Sequence, residues 1–127
     1  MVEQDEALRK QVADFALGVL RFVRGLRRDV ASDSIIRHIA RCAGSVSANH
    51  RAACSARSLP EFISKIGIAL AEADEIEHWL WMAAQLRLGN SQKLAALDEE
   101  AKQLRAILAE SISAARRNLQ GVARKPP

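Results

Sequence analysis

Apolar residues recur at alternating intervals of four and three along most of this chain, which is the spacing of one face of an α-helix. In the first segment the stripe comprises Leu8, Val12, Phe15, Val19, Phe22 and Leu26. The composition agrees with long helices, because 49% of the residues are apolar, tyrosine is absent, and the only prolines are Pro60, Pro126 and Pro127. The sequence therefore predicts an all-α fold.

Three further segments have the same periodicity. The second carries Ile35, Ile39, Cys42, Val46 and Ala53, the third carries Phe62, Ile66, Ala69, Ala73, Ile76, Leu80 and Ala83, and the fourth carries Leu94, Leu97, Ala101, Leu104, Leu108, Ile112, Ala115 and Leu119. Short connections between long helices place neighbours antiparallel. We expect an up-down-up-down four-helix bundle in a single domain over residues 1–120, followed by a disordered basic tail over residues 121–127.

Helix boundaries have recognisable signals. The first segment fades at residues 27–29, and Ser32 is the expected N-cap of the second helix, with Asp33 in its first turn. The run Ser58-Leu59-Pro60-Glu61 predicts a capping box at the start of the third helix, which Gly89-Asn90 is expected to end.

Polar residues lie beside the predicted apolar stripes of the second and third helices. Asn49 falls on one stripe, Glu72 lies at the edge of the next, and Glu75 follows one turn later. One interpretation is a structural polar layer that fixes bundle register or subunit pairing. In it Asn49 bonds to another helix, and a buried Glu72 pairs with asparagine N–H groups or with an arginine of the second helix. The alternative is that all three are ordinary surface residues.

Two tryptophans are separated by two positions in the third helix. Trp79 and Trp81 differ by about 200° around the helix axis, so they cannot face the same neighbour. We expect one of them to pack in the bundle and the other to meet solvent or another subunit.

Basic residues are concentrated in the first two helices. Residues 1–57 hold ten Lys and Arg against six Asp and Glu, and the chain as a whole has a net charge of +4. The candidate nucleic-acid-binding residues are Arg21, Arg24, Arg27, Arg28, Arg37, Arg41, Arg51 and Arg57. Such a surface can bind phosphates, and the release of counterions from the nucleic acid makes the free energy of binding more favourable. The alternative is an ion-paired or solvated helix face, since no aromatic residues interleave with these arginines in the sequence.

No catalytic or metal-binding pattern competes with this interpretation. Glu75-Ile76-Glu77-His78 has the Glu-x-x-His spacing of di-iron bundles, but a second copy is missing and both residues point away from the apolar stripe. Cys42 and Cys54 lack zinc-finger spacing, and about 18 Å of helix separates them. We therefore expect a non-enzymatic protein without a cofactor.

Segments that target membranes are not indicated. The first residues are acidic, unlike the basic start of a secretory signal, and the longest apolar stretch, residues 79–84, is far shorter than the ~20 residues of a membrane span. We expect a cytoplasmic protein whose cysteines are reduced.

Several segments together resemble a known family. Residues 45–53 (SVSANHRAA), 58–65 (SLPEFISK), 68–75 (IALAEADE) and Trp79-Leu80 resemble the bacterial four helix bundle proteins encoded in intervening sequences of 23S ribosomal RNA genes. The accessory variability determinant of diversity-generating retroelements is related to that family. The similarity covers residues 10–115, most strongly in helices two and three. Ala52 departs from the glutamate of the most similar subgroup, which puts any role of that glutamate here in doubt.

The resemblance implies a homopentameric ring without catalysis. The retroelement relative binds nucleic acid and a reverse transcriptase, so the partners implied here are an RNA or DNA backbone and a protein of that kind. The leading hypothesis is an oligomeric scaffold that contacts nucleic acid, most plausibly RNA, through the arginines of helices one and two. The alternative is a protein-only adaptor or structural oligomer without a nucleic-acid role.

Overall fold

A computed structural model describes the backbone of residues 2–124 and the side chains of residues 6–121. It contains four helices, α1 (Val2–Arg24), α2 (Val30–Cys54), α3 (Leu59–Gln85) and α4 (Ser91–Arg124), with no strand in the described range. α2 packs against α1 and α3, and α4 packs against α3 and α1, so the helices surround one core in chain order. The all-α four-helix bundle expected from the sequence is confirmed.

The core consists of the predicted stripes. Every stripe residue of α2 is buried, and the buried residues of α3 run from Ile66 to Ala83 at the expected spacing. Residues at the ends of the stripes are only half buried, as Leu8, Phe22 and Phe62 are, and Leu119 is exposed. Small side chains are part of this core, because Ala43 of α2 and Ala69 and Ala73 of α3 are fully buried.

The start of α2 differs from the prediction. The N-cap is Asp29, whose carboxylate accepts a hydrogen bond of 2.9 Å from the Ser32 backbone N–H, while the Ser32 hydroxyl accepts one of 2.9 Å from the Asp29 N–H. The Ser32 backbone N–H and the Ser32 hydroxyl both donate to the Asp29 carboxylate, and these two bonds lower the pKa of Asp29. Ser32 is therefore the buried third residue of a capping box and not the N-cap, although Asp33 does lie in the first turn.

At the start of α3 half of the expected capping box forms. Ser58 is the N-cap and its hydroxyl accepts a hydrogen bond of 3.2 Å from the Glu61 N–H. The Glu61 carboxylate instead accepts from the backbone N–H of Arg57, at 2.9 Å, one residue further back than the capping box requires. Pro60 is accommodated in the first turn, where a missing N–H costs nothing.

Helix α3 ends at Gln85, four residues before Gly89. Arg87 has φ 55°, and the Leu88 and Arg87 N–H groups donate to the carbonyls of Ala83 and Ala84, which is a Schellman motif with arginine at the position usually held by glycine. Gly89 also has positive φ, 67°, and the turn lies against the end of α1. The prediction that Gly89-Asn90 ends the helix placed the end four residues too far along the chain, because Arg87 and not a glycine takes the left-handed conformation of the cap.

Helix α4 continues through residues 121–124, which the sequence assigned to a disordered tail, and residues 125–127 lie outside the described residues. None of the helices over residues 2–124 combines the length and the apolar character that crossing a bilayer requires.

Gly89 is a position where we expect substitution to be costly. An added Cβ would lie 2.5 Å from Leu26 Cδ2 and 2.9 Å from Phe22 Cζ, in a backbone conformation that L-residues rarely adopt. Gly89→Ala should lower the free energy of unfolding by about 1–3 kcal/mol, measured by urea denaturation.

Gly44 is the matched control for this substitution. It lies within α2, and a Cβ there meets nothing within 4 Å, so Gly44→Ala should raise stability by up to about 1 kcal/mol. Equal effects of the two substitutions would contradict the role given to Gly89.

Candidate nucleic-acid interface

All eight arginines that the sequence nominates are exposed, but they do not form one patch. Arg21, Arg24 and Arg27 lie at the end of α1, whereas Arg51 and Arg57 lie at the end of α2. Because α1 and α2 are antiparallel, and α2 is roughly 36 Å long, these two groups lie at opposite ends of the bundle.

Three of the eight are held by carboxylates. Arg28 and Arg37 both form salt bridges to Asp33, the latter at 2.8 Å, and these contacts lower the pKa of Asp33, with the Arg28 hydrogen bond as the largest cause. Arg41 is bound by two glutamates of α3. The ion-paired interpretation therefore describes Arg28, Arg37 and Arg41, whose charge is largely offset within the subunit.

Further basic residues, from the α3–α4 turn and from α4, lie near the arginines at the C-terminal end of α1. A surface cavity of about 480 Å³ is lined by Arg21 of α1 and Lys93 of α4, with Gly89 between them. Among the described side chains no salt bridge reaches Arg21, Arg24, Arg27, Arg87 or Lys93. We call these five residues the basic end.

The opposite end carries a different set of groups. Arg9, Arg57, Cys54 and the buried His50 line a cavity of about 410 Å³, in which the Cys54 sulfur lies 4.0 Å from His50 Nδ1. Arg51 is exposed on the same part of α2. These groups are too far from the basic end to contact the same short stretch of phosphates.

Glu75 is the centre of a hydrogen-bonded cluster that joins α2 to α3. Its Oε2 accepts from the Cys42 thiol at 2.9 Å, from the Trp79 indole N–H at 3.1 Å, and from the guanidinium of Arg41, which also reaches Glu72 Oε2 at 2.9 Å. Glu72 and Glu75 are half buried, and Cys42 is fully buried. The structure thus brings two of the three predicted polar-layer residues together with an arginine of α2.

The cluster changes the acidity of its members. The Cys42 and Trp79 hydrogen bonds, together with Arg41, lower the pKa of Glu75 below its ordinary value of 4.5. Burial and the Glu75 carboxylate raise the pKa of the Cys42 thiol. Cys42 is therefore a protonated hydrogen-bond donor within the core and not a nucleophile.

Asn49 stands apart from this cluster. Its side-chain N–H donates to the Ser45 carbonyl at 2.9 Å and to the Ser45 hydroxyl at 3.1 Å, one turn earlier in α2. The expected bond to another helix is replaced by this contact within the helix, because Asn49 is half buried at the rim of the stripe.

The two tryptophans have different environments. Trp79 is half buried and stacks on His38 of α2, with ring centroids 4.0 Å apart and an angle of 9°. Trp81 is 57% exposed. His78 lies between them, edge-on to Trp79 at 4.8 Å and 6.4 Å from Trp81. The Trp79 indole and the Arg41 guanidinium donate to the same oxygen of Glu75, so an aromatic ring does lie near one of the candidate arginines.

The Cys42, Glu72 and Glu75 ligand atoms lie within 4.8 Å of one another, the one group of three metal-ligating side chains among the described residues. The Arg41 guanidinium already bonds to both carboxylates there. A bound cation would have to displace it, so these residues fit an internal ion pair and not a metal site. His78 of the Glu-x-x-His spacing faces Trp79 and Trp81 instead.

Sequence reasoning missed two members of the basic end, Arg87 and Lys93, because they belong to an otherwise acidic stretch and to the start of α4. It also missed the His38–Trp79 stack, which joins residues far apart in the chain. Arginine directly after the C-cap residue Leu86, at the position where glycine is usual, is the local signal that could have drawn attention to Arg87.

An antiparallel four-helix bundle with a basic end is the class that fold and site define. The model of the 23S rRNA-intervening sequence protein family matches residues 4–110, so the chain belongs to that family. The resemblance noted in the sequence is confirmed.

A solved structure supports the fold. It is a protein of unknown function from the S23 ribosomal protein family of Bacteroides thetaiotaomicron VPI-5482, with a TM-score of 0.75 and 23% identity. The similarity covers 86% of this chain and 97% of that one. No curated protein is significantly similar to the chain.

The acidity of Glu75 gives a test of the cluster. A group whose pKa is lowered by folding stabilises the native state above its unfolded pKa, and this contribution is lost as the pH falls through the native value. Glu75→Gln should therefore lower the midpoint of urea unfolding at about pH 7, and the difference from the parent protein should shrink below about pH 4.5.

Glu110 provides the control, because among the described side chains its carboxylate pairs only with Arg117, at 3.0 Å, on the exposed surface of α4. Glu110→Gln should change the midpoint little at any pH. A Glu75→Gln effect that is constant from neutral to acidic pH would contradict the hydrogen-bonded carboxylate.

Proposed function

We propose that this protein is a non-enzymatic, oligomeric scaffold that binds the phosphate backbone of nucleic acid through its basic end. The observation that carries the proposal is the group of five cations at this end, contributed by α1, the α1–α2 connection, the α3–α4 turn and α4, none of which forms a salt bridge among the described side chains. Unneutralised cations on one surface gain from releasing the counterions of a nucleic acid.

RNA is the nucleic acid that we favour. The family takes its name from the 23S rRNA intervening sequence, which makes an RNA ligand the first to test. Contacts from arginine and lysine to phosphates position a nucleic acid without reading its sequence. We therefore expect binding that depends on charge and strand form and only weakly on sequence.

Assembly would multiply this surface. The resemblance implies a pentameric ring, and several large apolar side chains are exposed on the subunit, among them Leu17, Val30, Ile68 and Leu119. Burying some of them between copies would lower their hydration cost. A ring would repeat the basic end once per subunit, so that one RNA could contact several copies.

The same exposed apolar residues favour the alternative, a protein-only adaptor whose partner docks on them. The two functions differ in salt dependence. Nucleic-acid binding through several phosphates weakens steeply as salt is added, whereas an apolar contact does not.

The basic end can be tested with an RNA of arbitrary sequence titrated at several salt concentrations. Each phosphate neutralised contributes about −0.7 to −0.9 to the slope of log affinity against log salt. Arg24→Gln combined with Arg27→Gln should weaken binding and reduce the magnitude of that slope by about 2.

The control is Arg51→Gln combined with Arg57→Gln, an equal charge change at the other end of the bundle. This variant should keep the slope of the parent protein. If both double variants lose binding equally, the basic end is not the site, and if the parent protein binds no RNA at low salt, the adaptor remains.

A further inference from the structure

The groove between α3 and α4 contains a second surface cavity, of about 610 Å³, next to the basic end. Apolar side chains line much of it, including Leu80, Leu88 and Leu94, and Trp81 lies along it. Its polar groups are Arg87, Ser91 and Asp98. We call it the Trp81 cavity.

The Trp81 ring is the open end of a row of aromatic rings. His38 covers Trp79, and His78 lies beside both tryptophans. Trp81 itself is 57% exposed, a large apolar surface left in water. A flat aromatic ligand that stacks on it would extend the row and remove this surface from solvent.

Cations border the cavity. Arg87 lines it, and Gly89 lines both the Trp81 cavity and the cavity that Arg21 and Lys93 share. The carboxylate in the cavity, that of Asp98, is bound by Lys102 of the same helix at 2.9 Å, so it does not repel an anion at full strength. An aromatic surface and phosphate-binding groups are thus adjacent.

The arginine at position 87 fits this arrangement. Its φ of 55° places a long cationic side chain at a helix end that normally takes glycine. A left-handed conformation of a non-glycine residue costs free energy that the rest of the structure must offset. A guanidinium in a cavity that Trp81 also lines suits a ligand that is both flat and anionic.

We propose that the Trp81 cavity takes an unpaired nucleobase of bound RNA, stacked on Trp81, with the adjoining phosphates on Arg87 and Lys93. The inference rests on the function proposed above and narrows its substrate to single-stranded RNA. Bases within a duplex are stacked on one another and reach such a cavity only after unpairing. Stacking of this kind accepts any base, because every base has a π-face.

The test compares a ten-nucleotide uridine RNA with an RNA duplex that carries the same number of phosphates. Trp81→Ala should lower affinity for the single strand about 5- to 100-fold and leave duplex affinity within about twofold. Trp81→Phe, which keeps an aromatic face, should recover most of the single-strand affinity. Tryptophan fluorescence should be quenched by the single strand in the parent protein and much less in Trp81→Phe.

Leu86→Ala is the matched control, because Leu86 is a 48% exposed apolar residue of the same region that does not line the cavity. It should bind both RNAs like the parent protein. Circular dichroism melts of all three variants are the check that each substitution leaves the bundle intact.

The outcomes separate the two proposals. If Trp81→Ala binds the single strand as the parent does while the basic-end variant is weakened, the nucleobase site is wrong and the phosphate-binding function stands. If the parent binds neither RNA, the function fails and the inference with it. Poor quenching of Trp81 by acrylamide in the free protein would mean that a second copy covers the ring, which also overturns the inference.

Discussion

One carboxylate, that of Glu75, accepts hydrogen bonds from three donors that belong to two helices. The Cys42 thiol and the Arg41 guanidinium come from α2, and the Trp79 indole comes from α3 itself. The bonds from Cys42 and Arg41 join α2 to α3 and so oppose rotation of one helix against the other. With Trp79 held inward against His38, Trp81 lies about 200° further around the helix and is turned to solvent.

The same cluster decides which charges remain available. Arg41 is used in holding the helices together, and Asp33 uses Arg28 and Arg37 at the start of α2. Basic residues without a salt bridge among the described side chains remain at both ends of the bundle, and at one of these ends Arg21 of α1 and Lys93 of α4 line the same cavity. The surface that we propose for a phosphate backbone is therefore set by pairing within the subunit and cannot be inferred from a count of arginines.

The bundle could be predicted from the sequence because helical periodicity indicates directly which face of each helix is buried. The buried residues of all four helices, the first of which is Val12 and the last Ala115, follow the predicted stripes. Caps were harder. Asp29 and Ser32 are both good N-cap residues three positions apart, and only their mutual hydrogen bonds decide between them. Arg87 and Lys93 join Arg21 only through the turn that brings Gly89 against α1. Contacts of this kind depend on tertiary geometry, which no local pattern encodes.

The most direct test of the central claim, that RNA is held at the end formed by α1 and the α3–α4 turn, is ultraviolet cross-linking of the assembled protein to a short RNA, with the attachment sites identified by mass spectrometry. The account predicts cross-links within residues 21–27 and 81–93. Cross-links confined to residues 9 and 51–57 would contradict it. So would bound RNA that forms no cross-link within either of the two expected segments.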